Sequence, residues 1–101
     1  MTTVTCLIVR WVDDEPFPGW VEGRLTDFHG REWVFFDKPP IFSSEDILRT
    51  SAFPRPGELR CHVLKRWITD DGAECAEIQL VEVDSADGES RFEVRAADLS
   101  G

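Results

Sequence analysis

From Pro56 to Ile68 the chain reads P-G-E-L-R-C-H-V-L-K-R-W-I, and Asp70-Asp71-Gly72 closes it. Pro56 and Gly57 punctuate the start, and a glycine after two aspartates supplies the left-handed position that a tight hairpin loop requires. The stretch is therefore predicted as a long strand that returns through a hairpin. With Thr69 opposite Ala73, the register runs back through Trp67 with Cys75, Lys65 with Glu77, Cys61 with Val81 and Arg60 with Glu82. Opposite charges then face each other at Lys65–Glu77 and Arg60–Glu82, and a one-residue slip loses both. Leu59, Cys61, Val63, Val81 and Val83 fall on one face, and Leu64, Ile78 and Leu80 on the other. Neither face is cleanly polar. A long strand whose apolar side changes part-way belongs to a sheet that bends and closes on itself, often at a bulge.

The remaining segments fit the same sheet. Thr3–Val12 is β-branched and loosely alternating, hence a strand, and Asp13-Asp14-Glu15-Pro16-Phe17-Pro18-Gly19 breaks it into an acidic surface loop. Trp20–Thr26 and Arg31–Asp37 form a second hairpin around Phe28-His29-Gly30, with Gly30 at positive φ. Pairing Asp27 with Arg31 places Val21, Gly23, Leu25, Trp33 and Phe35 on a core face, and Trp20, Glu22, Arg24, Glu32, Val34 and Phe36 on a mixed outer face. Prolines are expected to extend Lys38–Phe42, Ser43 or Ser44 to cap a short helix over Ser44–Arg49, and Phe53 to plug one end of a barrel. Ser90–Ala96 alternates Phe92 and Val94 with charged residues and reads as a last, half-buried strand. The expected class is all-β: one domain, a small six-stranded antiparallel Greek-key-like barrel with one short helix between strands three and four.

The spacing of Pro18-Gly19-Trp20, then the strand pair, then Pro56-Gly57 opening a long apolar strand resembles the C-terminal β-barrel of elongation factor Tu. That resemblance spans roughly Val4–Val83 and implies a Greek-key barrel; it carries no function across, since no GTPase domain accompanies it. The strings W-V-E-G-R-L-T-D and G-R-E-W-V-F-F-D-K-P-P also resemble small stand-alone bacterial proteins of unknown role.

Eleven Lys and Arg against twenty Asp and Glu leave a net charge of −9, which opposes binding to a polyanionic duplex and favours a basic partner. The odd cysteine count (Cys6, Cys61, Cys75) without a CxxC pair implies reduced thiols, and no run approaches the length of a membrane span, so the expected location is the cytoplasm.

Chemistry-bearing constellations are sparse. Zinc accepts Cys and His, and Cys6, Cys61, Cys75, His29 and His62 supply both, yet adjacent Cys61 and His62 point to opposite faces of a strand, and neither a metal nor a cofactor is expected. Ser43, Ser44 and Ser51 lack a nucleophile elbow, paired acids such as Asp13-Asp14 and Asp70-Asp71 sit in turns, and no glycine cluster precedes a helix, so no enzymatic activity is expected.

What remains is a binding surface. Four Trp and seven Phe exceed what so small a core encloses. Trp20, Val34 and Phe36 make an apolar centre, Glu22, Arg24 and Glu32 its charged rim, and Phe17 and Phe28 peripheral contacts at loop tips. The competing expectation is that Lys38–Phe42 or the short helix folds over those side chains and turns them into core. The leading expectation is a small acidic interaction module for another, basic protein, of the inhibitor or immunity type. The alternatives are a barrel for single-stranded oligonucleotides, using Trp20, Trp33, His62, Arg60 and Arg66, or a homodimer through an exposed barrel edge.

Overall fold

The computed structural model describes residues 1–101 as β1 (Thr3–Asp13), β2 (Trp20–Thr26), β3 (Glu32–Asp37), α1 (Pro39–Phe42), β4 (Arg55–Ile68), β5 (Glu74–Leu80), β6 (Arg91–Arg95) and the two-residue β7 (Leu99–Ser100). The strand order is β3-β2-β1-β4-β5-β6, with β7 against the start of β1, and every pairing is antiparallel. The run β3-β2-β1-β4, in which three hairpin-linked strands are followed by a fourth beside the first, is a Greek key. The sheet curls into a half-barrel, and two backbone bonds join its far edges: Phe28 N–H to the Glu93 carbonyl and Ala86 N–H to the Val34 carbonyl, both 2.7 Å. No helix is long and apolar enough to cross a membrane.

The long strand organises the sheet by changing partners. Arg55–Arg60 pairs with β1, whereas Cys61–Ile68 pairs with β5. Thr69 N–H bonds the Ala73 carbonyl, and Trp67–Cys75 and Lys65–Glu77 are direct partners, as the turn chemistry predicts. A bulge at Leu64 then shifts the register, so Val63 meets Ile78 and Cys61 meets Leu80 rather than Val81. The shift moves Ile78 and Leu80 onto the core face beside Leu59 and Cys61, while the extra residue, Leu64, turns out to solvent. The expected division of these residues between two faces is therefore corrected. Arg60 and Glu82 still form an ion pair at 2.5 Å, diagonally rather than directly opposite.

The second hairpin has the expected register, Leu25 with Trp33, Gly23 with Phe35 and Glu22 with Phe36. Asp27 fixes its turn: one carboxylate oxygen accepts the N–H groups of His29 (2.8 Å) and Arg31 (3.0 Å), and the other accepts Trp33 Nε1–H (2.9 Å). Burial pushes the Asp27 carboxyl up, but these donors pull it further down, below its ordinary value.

The helix between strands three and four is displaced from its expected position. Of Lys38–Phe42 only Lys38 is extended; Pro39 and Pro40 occupy the first turn of α1, where a missing N–H costs nothing. Ser43 Oγ accepts the Glu45 N–H and so caps a turn, and Ser44–Arg49 is irregular. The role given to Phe53 falls mainly to Phe42, which is fully buried, while Phe53 packs half-buried against the core margin. Phe42 lies on the inner side of Gly23, where a Cβ would sit 2.4 Å from its ring, and its carbonyl lies 3.1 Å from a Cβ built on Gly57. The plug thus fills the interior and leaves the outer face of β2 and β3 uncovered. Around it, Val4, Cys6, Ile8, Val21, Leu25, Phe35, Leu59, Cys61, Ala76, Ile78, Phe92 and Val94 form one continuous core.

Candidate functional site

Strand alternation sends Val21, Gly23 and Leu25 inward and Trp20, Glu22 and Arg24 outward. On the outer face Glu22 is flanked by Phe36 of β3 and Arg24 by Val34. A bulge in β1 completes the row. Ile8 pairs with Gly23, and regular pairing would then bring Val9 to Glu22; the register shift brings Arg10 instead. Arg10 Nε–H donates to one Glu22 carboxylate oxygen at 2.7 Å, Arg24 Nε–H donates to the other at 2.8 Å, and Arg24 reaches Glu32 at 3.1 Å.

Glu22 is only 4% exposed, although it lies on the outside of the sheet. Burial alone raises its pKa, but the hydrogen bonds from Arg24 and Arg10 outweigh that and hold the carboxyl below its ordinary value. The carboxylate in turn fixes two guanidinium groups that remain about half exposed. Arg10 spends only its Nε–H on protein, so its terminal N–H donors face outward in a set orientation. Glu22 is therefore the buried centre of this surface rather than part of its rim, and Arg10 is a member that sequence reasoning missed.

Phe36 is 42% exposed beside this ladder, Trp20 and Val34 are half-buried next to it, and Leu7, opposite Arg24, is exposed as well. Phe17, at the tip of the β1–β2 loop, is 92% exposed. Phe28 departs from the expectation of a free loop-tip ring. It is half-buried, with Arg95 5.7 Å from its centroid and His29 edge-on at 5.5 Å, because its own N–H ties the turn to β6. The outer face of β1–β2–β3 thus brings together Trp20, Glu22, Arg24, Val34 and Phe36, adds Arg10 and Leu7, and leaves Phe28 on a different part of the surface.

The other candidate groups are engaged elsewhere. Trp33 packs edge-on against Phe92 at 5.0 Å and lies under Arg31 at 3.8 Å, and Arg60 is held by Glu82. His29 Nε2 meets Glu93 at 2.7 Å, and that carboxylate raises the imidazole pKa above 6.5. Ser43, Ser51 and Ser85 each accept a nearby backbone N–H through the hydroxyl oxygen, so they brace turns. The three thiols are buried at separate points of the sheet, and burial pushes Cys6 up to about 12. No group of three or more His, Cys, Asp or Glu side chains is placed to hold a metal ion.

No protein-family model, curated protein or solved structure matches this chain.

Proposed function

We propose that this chain is a small non-catalytic interaction module that binds another protein through the outer face of β1–β2–β3. The observation that carries the reading is the Arg10–Glu22–Arg24 ladder beside the exposed Phe36 ring. A carboxylate kept out of water to hold two half-exposed guanidiniums contributes little to folding in isolation, since the same row filled by apolar residues is commonly as stable. It does set the directions of arginine donors next to an apolar centre, and pre-oriented arginines around an aromatic ring are the composition that dominates binding energy at protein interfaces. Arg24 is already partly neutralised by Glu22 and Glu32, which suits a protein surface of mixed charge better than a row of phosphates. The net charge of −9 favours a basic partner by drawing it in at long range.

Affinity capture from the cells that make the protein, with wild type and Phe36→Asp in parallel, tests this reading. The expected result is one near-stoichiometric protein held by wild type, weakened by salt and lost with Phe36→Asp. A wild-type monomer that retains nothing at low salt, or a species retained equally by both proteins, rejects the proposal.

A further inference from the structure

A second surface is independent of the first. Beyond Cys61, whose N–H bonds the Thr2 carbonyl, β4 has no neighbour on its β1 side. The chain is elongated, 46 × 24 × 24 Å, as a hairpin of this length requires. In the His62–Ile68 arm, Lys65 and Trp67 pair with β5 in the same phase as Thr69, whose N–H bonds Ala73, so the N–H and C=O of Arg66 and Ile68 point to the open side. Leu64 and Ile68 on this arm are 46% and 67% exposed. A hollow of about 470 Å³ lies against its end, lined by Arg66, Trp67, Ile68, Glu74, Cys75 and Ala96.

We infer that the free edge of β4 from His62 to Ile68 accepts an extended acidic segment of a partner protein as an added strand. Charge selects this occupant. Lys65, although across the hairpin from Glu77, and Arg66 lie within 4.0 Å of no carboxylate, as do Lys38, Arg91 and Arg95, but only Lys65 and Arg66 of these five stand on the open edge of β4. The stretch from Leu59 to Ile68 holds Arg60, His62, Lys65 and Arg66 and no acid, a basic strip on a chain of net charge −9. A second copy fits poorly. Any two-fold antiparallel register centred between Leu64 and Trp67 sets Lys65 and Arg66 of one chain opposite or diagonal to those of the other, which is destabilising. An incoming strand that alternates carboxylates with apolar side chains sets its carboxylates on the Lys65 face and its apolar side chains on the opposite face, over Ile68 and the aliphatic stem of Arg66, and its backbone satisfies Arg66 and Ile68. Exposed basic side chains on an open edge also discourage unselective strand pairing.

The probe is a blocked, dye-labelled nonapeptide alternating Glu and Val, compared with its Lys/Val counterpart and with the Glu/Val peptide N-methylated at every residue. At low salt, fluorescence anisotropy is expected to show the Glu/Val peptide binding at least tenfold more tightly than the Lys/Val peptide, and the N-methylated form not binding. Residue-resolved hydrogen exchange is expected to slow at least tenfold at the Arg66 and Ile68 amides, with Lys65 and Trp67 unchanged. Lys65→Glu with Arg66→Glu reverses the charge preference, and should that variant fail to fold, the N-methylated peptide still tests the edge. Phe36→Asp leaves peptide binding unchanged, which separates this surface from the outer face of β1–β2–β3. Equal affinity for the two charged peptides, absence of binding, or unchanged exchange at Arg66 and Ile68 overturns the inference. So does a dimer by sedimentation whose Arg66 and Ile68 amides are already protected without peptide.

Discussion

Removing both donors from Glu22 isolates what the ladder does. Arg10→Ala or Arg24→Ala alone leaves the carboxylate one guanidinium, and because each arginine is about half exposed, each loss is expected to cost about 1 kcal/mol. The double substitution leaves the carboxylate without a partner; its 4% exposure belongs to the intact ladder, so only the cover that the strands themselves provide persists, and the desolvation penalty adds at most about 1–2 kcal/mol beyond the two single losses. At that upper limit the sum of about 3–4 kcal/mol corresponds to a fall in Tm of at least about 12 °C for a domain of this size. Adding Glu22→Leu to the double variant removes the stranded charge and is expected to recover up to about 2 kcal/mol.

The pH dependence follows from the direction of the shift. In wild type the Glu22 carboxyl lies below its ordinary 4.5, so its contribution to stability is fully present above that pH and is lost as pH falls through the folded-state value. In the double variant the donors that held the carboxyl down are gone, so the stabilisation that wild type gains above 4.5 is absent, and the gap to wild type narrows as pH falls. Urea unfolding of the wild type, both single variants, the double and the triple, at pH 7 and pH 4, measures every term. Additive single effects at pH 7, together with an unchanged gap at pH 4, refute the reasoning.

Three further outcomes are expected. Phe42→Ala costs about 3–5 kcal/mol by denaturant unfolding because the plug is fully buried, and Gly23→Ala, which is destabilising in wild type, costs much less in the Phe42→Ala background where the space is open. His29 titrates above 6.5 by NMR and returns toward that value in Glu93→Gln; a raised folded-state pKa means that its stabilising contribution is complete below 6.5 and is lost as pH rises through the folded-state value. Cys6, Cys61 and Cys75 do not react with a thiol reagent at pH 8 in the native protein and all react once it unfolds, with rapid native labelling of Cys6 contradicting its burial.

What the sequence disclosed and what it hid differ by range. The turns at Asp70-Asp71-Gly72 and Phe28-His29-Gly30 are local chemistry, so Trp67–Cys75, Lys65–Glu77 and the whole β2–β3 register could be read directly. The bulges at Val9 and Leu64 arise from the curvature of the closing sheet, which no short window contains, and both misled: one displaced Leu80 and Leu64, the other concealed Arg10. The signal for Arg10 was its position as the charged residue within Thr3–Val12. Reading Pro39-Pro40 as extended missed that proline is equally at home in a helix's first turn, and the buried Phe42 was lost with it. Trp20, Val34 and Phe36 were placed together correctly because alternation within one hairpin is enough to do so, whereas Phe28 depended on a contact with Glu93 across the barrel.

The central claim is that a second protein sits on Phe36. Replacing Phe36 by a photo-crosslinking phenylalanine analogue and irradiating the cells that make the protein tests it directly, with the same analogue at Thr50, an exposed position in the connection between α1 and β4, as control. A single discrete adduct formed from position 36 and not from position 50 is the predicted result. No adduct from position 36 above the position 50 background contradicts the claim.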